Sequence, residues 1–143
     1  NYKDSQIPLS VATVRMNLPK GGEILVDKFL GPPRQVKPGP GARLQGNTLA
    51  WTHSGGTPSL NVIILRKTDR TPVWRFYSPG KITMARLPDP ATVGIPAWPS
   101  GPLVWVQYLA RLPGFSFDNF NYAHVSTRYW DRYSYDIFSI QGP

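Results

Sequence analysis

The sequence predicts an all-β chain, an antiparallel sandwich or a partly closed barrel, on three observations. Proline (16 residues) and glycine (13) recur at short intervals and leave few windows long enough for a helix. No stretch carries a 3.6-residue apolar period. Short runs rich in β-branched and aromatic residues take its place. A length of 143 residues suits a single β domain spanning the whole chain, with a core of useful size.

In chain order, the runs read as strands are "LSVATVRM" (9–16), "EILVDKFL" (23–30), "NTLAWTH" (47–53), "LNVIILRK" (60–67), "VWRFYS" (73–78), "KITMARL" (81–87), "LVWVQYLARL" (103–112), "FSFDNFNY" (115–122) and "YSYDIFSI" (133–140). The run 103–112 is the most informative. Leu103, Trp105, Gln107 and Leu109 fall on one face and Val104, Val106, Tyr108 and Ala110 on the other, so this strand is predicted to be central and covered on both sides. Two long stretches resist assignment. The first, "GPPRQVKPGPGARLQG" (31–46), carries Arg34, Lys37 and Arg43 and no acid, and reads as a linker or a surface loop. The second, "PDPATVGIPAWPSGP" (88–102), presents Trp98 between prolines as an exposed contact candidate.

Charge is uneven. The chain carries a net +8, and residues 28–86 hold ten basic residues against one acid, Asp69. A cationic middle attracts phosphate, anionic lipid or acidic glycans. The cations are spread singly, including Arg66 and Arg70, so nucleic acid is the weaker partner reading. The aromatic tail 115–138 beside Arg128 and Arg132 offers stacking surface for RNA or glycan, although alternating aromatics in strands are more often core.

Several chemistries are excluded by residue type. Without cysteine there is no thiol catalysis and no cysteine metal site, and two histidines, His53 and His124, do not make a structural zinc site. The single glutamate, Glu23, leaves no carboxylate pair of the glycosidase kind. "KPGPGARLQG" lacks the Lys-Ser/Thr of a phosphate-binding loop. No apolar run reaches the roughly 18–20 residues of a membrane-spanning helix. No metal and no cofactor is implied.

One segment offers a nucleophile. In "WTHSGGTPSL" (51–60), His53 and Ser54 are adjacent, Gly55 and Gly56 follow, and Asp69 lies sixteen residues beyond the histidine. A serine nucleophile needs a base within hydrogen-bond reach and an acid that orients the base. Adjacent side chains on a regular strand point apart, so the backbone must bend after Trp51, and the two glycines permit this. Their amides are the candidate oxyanion donors. The plain alternative is turn chemistry: Ser-Gly-Gly-Thr-Pro and Thr-Asp-Arg-Thr-Pro both favour turns, with Arg66 or Arg70 pairing Asp69.

The run Trp51, His53, Ser54, Asp69, Trp74 and "SPGKITMARL" resembles the protruding domain of capsid proteins of iflaviruses, picorna-like viruses of insects. The resemblance covers about residues 51–87, with Thr52 intervening between Trp51 and His53. It implies a surface-protruding capsid domain on the virion that engages a host receptor, glycan or membrane during entry and contacts other capsid subunits. It further implies that His53, Ser54 and Asp69 form a hydrolase-like triad, an esterase, lipase or protease type of site. The alternative is a non-enzymatic basic β-sandwich of jelly-roll type that binds RNA or another polyanion.

Overall fold

In the computed structural model, residues 10–14, 20–23 and 29–143 are described. They form eight strands: β1 (Ser10–Thr13), β2 (Arg34–Lys37), β3 (Thr48–Thr52), β4 (Leu60–Lys67), β5 (Pro72–Pro79), β6 (Met84–Arg86), β7 (Pro102–Arg111) and β8 (Arg132–Gln141). A single helical turn, α1 (Pro90–Val93), is capped by the Asp89 side chain and stopped by left-handed Gly94. The strands build two antiparallel sheets, one in the order β1-β8-β7-β4-β5 and one in the order β2-β3-β6. The sheets do not close on each other, so the architecture is a sandwich and not a barrel.

The face assignment follows from alternation. On the inner face of the larger sheet, Ile63 and Leu65 of β4, Leu103 and Trp105 of β7, and Phe138 and Ile140 of β8 meet Leu49 and Trp51 of β3 and Ala85 of β6. Trp51 packs edge-on against Trp105, with ring centroids 6.2 Å apart, and Phe138 packs against the same indole at 4.9 Å. The outer face carries a second cluster of Leu60, Val62, Ala110, Leu112 and Trp130. Residues 112–130 fold back over that cluster. β7 is therefore covered on both faces near its C-terminal end, as its two apolar stripes require.

Two stretches depart from the sequence reading. Residues 115–122 are not a strand: three short 3₁₀ turns, Phe117–Asn119, Tyr122–Val125 and Thr127–Tyr129, carry these aromatics as a lid on the outer face. Phe115, Phe117 and Phe120 point inward onto the second cluster. Their density mimics a strand, but local hydrogen bonds such as Asn121 Oδ1 accepting from the Ala123 amide curl the chain instead. Within 31–46, β2 pairs with β3 and Leu44 enters the core, so this stretch is tied into the sandwich. The strand expected over 23–30 falls largely outside the described residues, apart from a bridge of Leu30 to Gly55.

Several inner-face residues break the apolar pattern, Asn61, Ser78 and Ser134 among them, and Gln107 does so without a hydrogen bond. Gln107 lies in the middle of β7 between Ile63 and Asp136 of the neighbouring strands, is fully buried, and has a hydrogen-bond partner for neither amide atom. An unsatisfied buried polar group costs about 1–3 kcal/mol. Gln107→Met, close to it in volume, is therefore expected to raise stability by about 1–3 kcal/mol in urea unfolding. Trp105→Ala is expected to lower it by about 3–5 kcal/mol, because both sheets lose their shared contact.

Candidate functional site

The chain bends after β3 as the 51–60 segment requires. β3 ends at Thr52, and Gly55 takes the left-handed conformation at φ 79°. The bend serves a backbone crossing. The Gly31 amide donates to the Ser54 carbonyl at 2.8 Å, and Leu30 bridges Gly55. A Cβ on Gly31 would sit 2.2 Å from Ser54 Oγ, and one on Gly55 would sit 2.4 Å from the Phe29 carbonyl oxygen. Only glycine fits at either crossing point. Gly56 is under no such pressure, since a Cβ there would make an ordinary contact with Leu30. Gly31 is itself held to the larger sheet, its carbonyl accepting from Ser134 Oγ at 2.9 Å.

His53 is half-buried and its Nδ1 has no partner. Burial pushes its pKa below the ordinary value. Among the described residues no hydrogen bond joins the His53 ring to the Ser54 hydroxyl.

Asp69 lies elsewhere. It sits fully exposed in the β4–β5 turn, and its carboxylate is held below the usual range by hydrogen bonds from Thr71, first the side chain and then the amide, with Oδ1 2.8 Å from the Thr71 nitrogen. Arg70 follows it in the left-handed region at φ 72°, which folds the turn tightly. The two places can be put on one ruler. Gly31, against Ser54, bonds Ser134, which faces Leu109 of β7, which faces Asn61 at the start of β4. Asp69 follows the end of β4. The eight residues of that strand separate the two sites by roughly 25 Å. The sequence expectation of a Ser54–His53–Asp69 triad is corrected here: a strand runs out and away from the histidine before it turns at the aspartate. Gly55 and Gly56 consequently have no assembled nucleophile to serve.

The other expected contact residues, Trp98, Arg66 and Arg70, lie on different sides of the β4–β5 hairpin. Trp98 is half-buried, not free in its loop. Its Nε1 donates to the Pro88 carbonyl at 3.2 Å, and its ring stands at 80° to Trp74, with centroids 5.6 Å apart. The two indoles, Lys67, Thr71, Pro72, Pro96 and Pro99 enclose a cleft of about 330 Å³. On the opposite side of β5, Ile64, Pro72, Val73, Trp74, Arg75, Tyr77 and Tyr122 line a wider cleft of about 480 Å³. Tyr122 is 78% exposed at its rim. Arg66 lies on this same side, near Tyr108, whose phenol is pushed up chiefly by burial and only partly offset by that guanidinium. Lys67 and Arg70 stand exposed at the hairpin tip. Neither cleft contains an acidic residue.

Sequence reading missed Lys67, Arg75, Trp74 and Tyr122 as members of this site. The signal was present in the alternation of β5, which sends Trp74 to the inner side and Arg75 and Tyr77 to the outer side. The remaining candidates are structural. His124 closes a capping box, its Nδ1 accepting from the Asn121 amide at 3.2 Å. Arg128 stacks over its neighbour Tyr129 and bonds its hydroxyl at 2.8 Å. Among the described residues, no group of three metal-ligating side chains occurs, and no helix is long and apolar enough to cross a membrane. No family model, curated protein or solved structure matches this chain.

Two outcomes follow. A fluorophosphonate probe is expected to leave wild type and Ser54→Ala equally unlabelled; labelling that disappears in the variant would restore the nucleophile. Because the folded-state pKa of His53 is depressed, the unfolded chain takes up the proton first as pH falls. The stability that neutral His53 allows is fully present above about 6.5 and is lost on acidification through the window below it. Urea midpoints at pH 7.5 and 5.5 are expected to fall further apart in wild type than in His53→Gln.

Proposed function

We propose that this chain is the surface-projecting domain of a virus capsid protein, of the kind that residues 51–87 resemble, and that it works by attachment and not by hydrolysis. The two-sheet sandwich supports the first half of this reading, and the separation of Asp69 from His53 supports the second. The observation that carries the attachment reading is the β4–β5 hairpin. It carries Lys67 and Arg70 at its far end, Arg66 and Arg75 on its outer side and the Trp74–Trp98 corner on its inner side, and its one carboxylate is engaged by Thr71 and Lys67. On a virion this end faces an anionic host surface, and the cations steer the approach while the indoles supply apolar contact. The other capsid subunits contact the domain away from this tip.

Heparin is a suitable polyanionic probe. Binding is expected to weaken steeply between low and physiological salt, as exposed charge pairs are screened over about 8–10 Å. The double variant Lys67→Glu, Arg70→Glu is expected to reduce heparin affinity about tenfold or more while the urea midpoint stays put, because both side chains are exposed. Unchanged affinity in that variant would remove the hairpin tip from the attachment surface.

A further inference from the structure

β5 is the terminal strand of the larger sheet, and at eight residues it is the longest edge among the described strands; β1, β2 and β6 have four, four and three. Its outward hydrogen-bonding groups can be identified. Gly80, just past the end of β5, donates to the Ser59 carbonyl at 2.9 Å and so faces β4, while the Ser59 amide turns to Ala110 of β7 at 2.7 Å. Alternation from Gly80 turns Ser78, Phe76 and Trp74 toward β4 and leaves the N–H and C=O of Tyr77 and Arg75 pointing away from the sheet. No described backbone group covers them. The two clefts lie one on each side of this same edge and share Pro72, Val73 and Trp74.

A free edge with a pocket on either face is the geometry of strand addition, in which main-chain bonds hold an extended peptide and the pockets read its alternate side chains. We propose that β5 is a docking edge for an extended, acidic polypeptide segment of a host-surface protein. This inference rests on the attachment reading and names its partner class. Charge selects the occupant. Arg75 lines the outer cleft and Lys67 the inner one, and neither cleft is lined by an acid, although Lys67 also feels Asp69 of its own turn. A second copy of this chain is disfavoured, because the two near-centred antiparallel β5–β5 registers set Arg75 either opposite or diagonal to the copy's Arg75, with no acid at that edge. The alternation also fixes the pattern. Residues facing Arg75 and Tyr77 project to the outer cleft and are acidic; the residues between them project toward Trp74 and Trp98 and are apolar.

The test uses the whole chain and a synthetic peptide that alternates glutamate and leucine. The peptide is expected to bind and to protect the Arg75 and Tyr77 amides from hydrogen exchange. A blocked version, N-methylated at the residues that pair with Arg75 and Tyr77, keeps the side chains but loses the donors; it is expected to bind about tenfold to a hundredfold more weakly. A peptide of the same composition with its glutamates and leucines in separate blocks is expected to bind as weakly as the blocked one. Arg75→Glu is expected to abolish the preference for glutamate over lysine. Equal binding of the N-methylated and unmodified peptides would overturn strand addition. No peptide binding with salt-sensitive heparin binding retained would overturn this inference and leave the attachment reading standing. Loss of both would sink the two together.

Discussion

The contact of Trp51 on Trp105 is what the rest of this fold depends on. A three-stranded sheet of short strands has too little apolar surface to persist alone. It is held because β3 places one large indole against the indole at the centre of the larger sheet, with Phe138 filling the other side. β7 can supply that anchor because its opposite face is covered as well. The aromatic turns over residues 112–130 bury the outer stripe, so neither side of the strand is left wet near its C-terminal end. Burial on both faces fixes register strongly, since a one-residue slip would exchange the two stripes. The ends of the sandwich inherit their positions from this register, and the candidate sites lie at those ends.

At one end, packing has consumed the residues that look most like chemistry. Gly31 and Gly55 exist for a backbone crossing, and Ser54 is part of that crossing through its carbonyl. His53 occupies a half-buried position whose consequence is pH sensitivity of stability. At the other end, the β4–β5 turn is short and locally satisfied. Asp69 ties its own loop through Thr71 and is drawn by Lys67, while no acid lines either of the two clefts. The chain thus separates a closed glycine crossing from an open cationic tip by the length of one strand.

The strands with clean alternation were legible in the sequence. The run 60–67 coincides with β4, while 73–78, 103–112 and 133–140 match β5, β7 and β8 to within two residues at either end, because period-two burial is a local property. What failed was non-local. The 115–122 run has strand composition, yet its aromatics are spent covering another strand's face. β2 hides among prolines, since an edge strand tolerates the ring that a central strand does not. The triad failed on distance: spacing along the chain gives residue types, while the direction of β4 decides where Asp69 ends up. Trp98 was found by its loop, but its partner Trp74 was read as part of a strand and of the 51–87 resemblance and not as a contact residue.

A long unpaired edge is normally a liability, and β5 shows how this chain contains it. Pro72 and Pro79 close both ends, a register shift at Leu65 and Arg66 twists the strand where it begins, and Arg75 sits at its middle. Each of these opposes pairing with an identical edge. The charge is not symmetric in its effect, however. It repels a second β5 and attracts a strand that carries glutamate or aspartate at alternate positions. Covering the edge with a loop, or shortening it as at β1, β2 and β6, would have removed the hazard without any such selectivity. Among the described residues β5 stays open between two clefts, guarded by its prolines, its register shift and Arg75, which under the proposed reading keeps the edge available to an acidic strand.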